Sequence, residues 1–279
     1  MAFAQFKPFT PSRRYSKGEG CQFMKIATWN VNSLRVRLEQ VIEWLKRVQP
    51  DVLGLQETKM TDENFPASAF EEIGYTAVFS GQPTYNGVAL ISRHPPQDIT
   101  MKLEGFSDPQ KRVLGATYND IRVFNLYVPN GQSVDSDKYK YKLEWLNALD
   151  SQLQAESQTH ELVLAMGDFN IAPEDPDVHD PAIWEGKVLC SPKERAALNK
   201  IQSTGYIDTF RLFEQPEKSF SWWDYRAAAF RRNMGMRIDL ILATKKLSDL
   251  CAGCSIDVEP RKNERPSDHT PVIAEFRDK

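Results

Sequence analysis

The sequence predicts an α/β domain that mixes parallel and antiparallel strands. Three observations predict it. An apolar run, a helix-periodic stretch and a second apolar run follow one another within residues 25–55; two strand-like segments flank Asn119-Asp120; and residues 162–166 form an unbroken apolar run closed by Gly167. A strand–helix–strand unit with its right-handed crossover makes its strands parallel, and a hairpin makes its strands antiparallel. An unbroken apolar strand is one covered on both faces. With 279 residues the chain can bury a large core, as one domain or two. No linker, low-complexity tract or fixed repeat interrupts residues 24–279, so one continuous domain is expected there.

Residues 1–23 are polar, with Lys7, Arg13, Arg14 and Lys17 and no apolar centre, so they do not make a secretory signal. They read as an extension or an early start ahead of Met24, with a degenerate organelle-targeting peptide as the alternative. They are set outside the fold. No stretch approaches transmembrane length, so no membrane partner is expected, and the chain reads as cytoplasmic and monomeric.

Residues 25–30 form the first strand. Leu34, Leu38, Val41, Ile42, Leu45 and Val48 recur at helical spacing, with Asn32 or Ser33 to cap the helix and Pro50 to stop it. The next strand, 52–55, runs into Gln56-Glu57-Thr58. Because the two strands are parallel, Asn30 and Glu57 emerge at one sheet edge. Residues 88–92 follow the turn-like Tyr85-Asn86-Gly87 as a strand. The hairpin strands are 113–118 and 121–128, and the second ends in Tyr127-Val128-Pro129-Asn130-Gly131, where Tyr127 reads as packing or as chemistry.

A helix marked by Leu143, Leu146, Leu149 and Leu153 leads to the strand from Leu162. That strand ends in Asp168 and Asn170, which point the same way if the chain stays extended; they read equally as paired functional groups or as a strand-ending turn. Residues 171–187 are an acidic, proline-containing loop with His179 among aspartates. Ser191-Pro192-Lys193-Glu194 is a capping box that opens a helix closed by Gly205. The aromatics and arginines of residues 220–232 suit base stacking with phosphate contact, or inward packing. Residues 237–243 read as a strand with Asp239 inside an apolar run. A buried carboxylate needs a partner, and His269, in Ser267-Asp268-His269 ahead of the last strand at 272–276, supplies one.

The net charge of −3 gives no global footprint for nucleic acid, although a carboxylate cluster can mask a local basic rim. Four cysteines suggest no disulfide framework, and Cys251-x-x-Cys254 lacks a second pair or nearby histidine, so buried thiols are expected. The polar strand ends are Asn30, Glu57, Tyr127, Asp168, Asn170, Asp239, Asp268 and His269. Oxygen donors with one imidazole suit Mg²⁺ or Mn²⁺ better than zinc. There is no nucleophile-elbow sequence, and hydrolysis of a phosphate ester fits the set.

LQETK at 55–59, the strand end at Asn30, YVPNG at 127–131, GDFN at 167–170, RIDLIL at 237–242 and SDH at 267–269 together resemble the exonuclease III family of AP endonucleases, within the endonuclease/exonuclease/phosphatase superfamily. The resemblance runs from about Met24 to the C-terminus and rests on all six motifs. It implies a four-layer α/β sandwich, two mixed β-sheets face to face with helices outside. It implies a Mg²⁺-dependent DNA repair hydrolase that cuts duplex DNA 5′ to abasic sites, with 3′-to-5′ exonuclease and 3′-phosphatase activity alongside. By position, Glu57 resembles the principal metal ligand, with Asn30 and Asp268 near it and Asp168 and Asn170 completing the set. Asp168 would handle the attacking water and Asn170 would hold it; Tyr127 and His269 would contact the phosphate, with Asp239 bracing His269. Trp222, Met236 and Ile238 would wall a pocket for the base-free sugar, Met236 standing where some relatives have a bulkier aromatic. Arg112 is similar to a residue that probes the duplex, and Asn130 belongs with it as a DNA contact. Superfamily enzymes acting on lipid or inositol phosphates would share the metal and histidine positions but give no reason for Trp222, Trp223 and the nearby arginines. A catalytically silent DNA-binding protein would not need every ligand position to stay competent.

Overall fold

Two strand–helix–strand units stand at the centres of two six-stranded sheets in the computed structural model, which describes residues 23–278. The expectation for the N-terminal extension therefore lies almost wholly outside the described residues. The first unit is β1 (Phe23–Asn30), α1 (Leu34–Val48) and β2 (Val52–Gln56), and α2 (Ala67–Glu71), β3 (Thr76–Ser80) and β4 (Val88–Ser92) follow it. The chain then enters the second sheet through β5 (Gln97–Thr100), β6 (Val113–Tyr118) and the second unit, β7 (Ile121–Tyr127), α3 (Asp137–Thr159) and β8 (Val163–Asp168). After α4 (Pro181–Trp184) and α5 (Pro192–Ser203) come β9 (Tyr206–Asp208), a small β10 (Trp222–Trp223) and β11 (Gly235–Met236) ribbon, and β12 (Asp239–Thr244). Finally α6 (Lys245–Leu250) and β13 (Cys251–Ile256) lead back to the first sheet with β14 (Val272–Arg277).

The strand orders are β13-β14-β1-β2-β4-β3 and β5-β6-β7-β8-β12-β9. In each sheet one parallel pair, β1 with β2 and β7 with β8, is flanked by antiparallel neighbours. Strand alternation sends one set of side chains between the sheets, among them Ile26, Val52, Leu90, Leu164, Met166 and Ile241, and the other set outward. The outward set of the first sheet packs on α1, where Trp29 and Leu53 meet Val41, Trp44 and Leu45. The outward set of the second packs on α3 and α5, where Val163 and Ala165 meet Trp145, Leu149 and Leu198. The result is the four-layer sandwich expected from the resemblance.

Local signals place the helix ends. Helix α1 stops as Gln49 turns left-handed (φ 54°) ahead of Pro50, and α5 begins with the reciprocal capping box of Ser191 and Glu194. The strand expected at 237–243 is divided. Arg237 leaves the ladder to bind Asp177 and Asp208, so pairing resumes only at Asp239. Cys190, Cys251 and Cys254 are buried free thiols. No helix among the described residues is long and apolar enough to cross a membrane.

Candidate active site

The C-terminal ends of β1, β2, β7 and β8 share one rim with the starting ends of β12 and β14, which run antiparallel to β8 and β1. Across the ladder Asp168 has Tyr127 on one side and Asp239 on the other, while Asn30 stands beside Gln56 at the end of the facing sheet. A bridge between Trp222 and His269 adds the segment ahead of β14. Seven residues far apart in sequence are therefore brought to one place: Asn30, Glu57, Tyr127, Asp168, Asn170, Asp239 and His269.

Asp168 is the buried centre. Its Oδ1 accepts the Asn170 N–H at 2.9 Å; its Oδ2 accepts Asn30 Nδ2 at 2.9 Å and Asn170 Nδ2 at 3.3 Å and lies 3.7 Å from His269 Nε2. The same Asn30 amide donates to Glu57 Oε1 at 2.9 Å, so one side chain joins two carboxylates. Glu57, Asp168 and His269 each offer a ligand atom, and these atoms lie within 4.8 Å of one another. The group can hold a metal ion, and a donor set weighted to carboxylate oxygen suits a hard divalent cation. Lys59 Nζ sits 2.8 Å from the outer oxygen of Glu57.

The electrostatics set three different protonation tasks. Burial raises the Asp168 pKa, His269 opposes this and Asp239 reinforces it, leaving the carboxyl at about 7. Burial would lower the His269 pKa, but Asp239, 2.9 Å from Nδ1, and Asp168 outweigh it and push the imidazole up to about 10. Burial, with the Glu57 and Asp168 charges, holds the Tyr127 phenol well above its ordinary value, so it is a neutral donor. The backbone around the site is strained: Asn32, Ser33, Glu57, Lys59 and Asn170 all have positive φ (41°, 92°, 51°, 53° and 50°).

Other expected residues take different places. Asp268 lies outside the ligand group; Asn32 Nδ2 donates to its Oδ1 at 2.9 Å and Trp222 Nε1 to its Oδ2 at 3.1 Å, and with His269 these outweigh burial and hold its pKa below the ordinary carboxylate value. Arg112 does not stand out towards a duplex. Its guanidinium lies 4.7 Å over the Tyr127 ring and donates to the Tyr127 carbonyl and to Gln110, contacts that satisfy it beneath the tyrosine. Asn130 is exposed, yet its amide donates to Asn170 Oδ1 at 3.0 Å. Trp222, Met236 and Ile238 share one apolar cluster, with Ala172, Val178 and Leu189; Trp222 is part-exposed, and Met236 and Ile238 are buried. The aromatic stretch splits: Phe220 and Trp223 pack inward against Ala229 and Phe230, while Tyr225, Arg226, Arg231 and Arg232 remain exposed. His179 lies against the Gly235 carbonyl, 3.2 Å from Nδ1, and not at the carboxylates.

Residues 27–269 match the model of the Endonuclease/Exonuclease/phosphatase family. The chain belongs to that family. Exodeoxyribonuclease III of Haemophilus influenzae is 37% identical over 270 residues, which cover 91% of this chain and 100% of that protein. A solved Neisseria 3′ phosphatase bound to a product DNA hairpin is 45% identical with a TM-score of 0.89, covering 91% of this chain and 99% of its own. A solved AP endonuclease from Archaeoglobus fulgidus is 42% identical with a TM-score of 0.87, covering 91% and 99%.

In this member of the endonuclease/exonuclease/phosphatase family, several residues that support the site carry weak sequence signals. Ser221 donates to Asp239 Oδ2 at 2.7 Å, and is lost between two large aromatics in the sequence. Lys59 closes the LQETK motif and Asn32 follows the strand end at Asn30, but neither carries a local signal for its contact at the site. Lys142 does leave a trace, as a charge on the apolar stripe of α3.

Proposed function

We propose that the protein is a DNA repair nuclease that uses Mg²⁺, with Mn²⁺ able to substitute, to hydrolyse the phosphodiester 5′ to an abasic site. Exonucleolytic removal of 3′ nucleotides and 3′-phosphate removal would use the same centre. The observation that carries this reading is the Glu57 and Asp168 carboxylates joined through Asn30, with His269 alongside and a neutral Tyr127 hydroxyl. Support comes from relatives that are an exodeoxyribonuclease III, an AP endonuclease and a 3′ phosphatase bound to product DNA.

Glu57 and Asp168, with Asn30 beside them, would hold the cation, which when bound neutralises charge on the phosphoryl oxygens. Asp168 is the carboxylate placed to take a proton from water, and the Asn170 N–H keeps Oδ1 fixed while it does so. His269, kept as imidazolium by Asp239, presents Nε2 as a charged donor to a phosphate oxygen, and the Tyr127 hydroxyl is a second donor. Asp268 acts from behind, holding Asn32 and Trp222. Trp222, backed by the buried Met236 and Ile238, would wall the pocket that receives a base-free sugar. Arg112 serves by stacking beneath Tyr127, and Asn130 by holding Asn170.

A labelled duplex with one abasic analogue, compared with nicked, 3′-phosphate and intact duplexes, tests the reading. Wild type should nick the abasic strand with Mg²⁺ and stop in EDTA, and Glu57→Ala and Asp168→Asn should lose on the order of a thousandfold or more in rate. Nicking that persists in EDTA would remove the metal from the reading. Turnover of an inositol or lipid phosphate with none of abasic DNA would assign the site to a different substrate.

A further inference from the structure

Lys142 is a fully buried lysine on the face of α3 that also carries Trp145, Leu146 and Leu149. Its ammonium has three N–H donors. The structure supplies three acceptors: the Asn130 carbonyl at 3.1 Å, the Asn170 carbonyl at 2.7 Å and Glu194 Oε1. Glu194 is equally buried, at the third position of α5, and accepts in addition from Leu189 N, Ser191 N and the Ser191 hydroxyl. A buried ion pair of this kind adds little stability beyond what an apolar pair of similar volume would give. What an apolar pair cannot do is hold two carbonyls.

Those carbonyls belong to the two loops that carry the reacting groups. Asn170 has a left-handed backbone (φ 50°), a conformation that is held where the surroundings over-determine it. From that conformation its N–H and its amide reach the two oxygens of Asp168, and Asn130 fixes the amide from the other side. We infer that Lys142, charge-paired with Glu194, is a positioning residue of the hydrolytic site: it locks the Asn130 and Asn170 carbonyls so that Asn170 keeps the Asp168 carboxylate aimed. The inference rests on the proposed reading in which Asp168 handles the attacking water.

The test is single-turnover and steady-state nicking of the abasic-analogue duplex by the full chain with Mg²⁺. Lys142→Met, which keeps the apolar stem, should lower kcat on the order of a hundredfold with KM little changed, because the ammonium does not face substrate and acts only on alignment. Lys142→Met and Asn170→Ala together should lose less than the product of their separate losses, since part of the lysine's effect passes through the Asn170 amide. A melting temperature that falls while kcat holds, or losses that multiply in the double variant, would overturn the inference. If Lys142→Met does not fold, Lys142→Met/Glu194→Gln leaves no unpaired buried charge, retains the capping box and is read in the same way. Asp168→Asn and Asn170→Ala at wild-type rates would sink the proposed function itself; slow Asp168→Asn and Asn170→Ala beside a fast Lys142→Met would sink only the role of the lysine.

Discussion

At Ser221 one buried hydroxyl serves three partners. It donates to Asp239 Oδ2 at 2.7 Å and accepts the N–H groups of Ile238 and Asp239, each at 3.1 Å. Asp239 in turn sets the orientation and charge of His269. Replacing Ser221 with alanine leaves two buried N–H groups and one carboxylate oxygen short of a partner. Each orphaned neutral group costs about 1–3 kcal/mol, so Ser221→Ala should lower unfolding free energy by at least that amount in urea titration. It should also slow turnover, because the Asp239 carboxylate that holds the imidazole loses its own anchor. An unchanged urea midpoint would mean that water replaces the hydroxyl.

At the scale of elements, Arg237 ties the loop before α4 to the wall of the site. Its Nε and Nη2 reach the two oxygens of Asp177 at 2.7 and 3.2 Å, and Nη1 forms an ion pair with Asp208 at 2.8 Å without hydrogen-bond alignment. Arg211 adds a further donor to Asp177, and the backbone of Val178 pairs with Met236. Removing the guanidinium leaves the buried Asp208 without its cation and Asp177 with Arg211 alone, so Arg237→Met should destabilise the fold by about 3–5 kcal/mol, read by urea titration. The same variant should expose residues 174–188 to limited proteolysis before the sheets open, since that loop loses its clamp. The sequence pattern shows the acid in this strand and makes Arg237 a strand residue, because nothing local reports that its partners lie at 177 and 208. The central strands β1, β2, β7, β8 and β12 were legible because burial on both faces writes an apolar run. β5 was not, since its exposed edge position imposes no pattern, and β3, β9 and β13 carried too weak a pattern to be read. The site residues were legible as polar groups at the ends of apolar runs. Their supports were not, because Ser221, Lys142 and Glu194 act across 18 to 52 positions of sequence. The stacking of Arg112 on Tyr127 was not legible for the same reason: sequence does not aim the face of the tyrosine.

For the whole molecule the consequence is that the candidate metal group straddles both sheets. Glu57 follows β2 in the first sheet, whereas Asp168 ends β8 in the second, and these two carboxylates are the groups that would hold the ion. The sheets meet through apolar side chains and through buried polar contacts, among them Gln56 donating to Asn125 Oδ1 and Asn125 donating to the Leu55 and Ala89 carbonyls. A cation bound across this seam prefers the state in which the sheets are packed, and its binding energy adds to their cohesion. Free ion at about a hundred times its dissociation constant should stabilise the fold by about 2.7 kcal/mol. Thermal melting of wild type should therefore rise with added Mg²⁺ or Mn²⁺ and fall back on EDTA. Glu57→Ala, which removes the first sheet's carboxylate, should melt at a temperature that does not respond to either ion. A wild-type midpoint that stays fixed at ion concentrations saturating nicking would show that the ion does not bridge the two sheets.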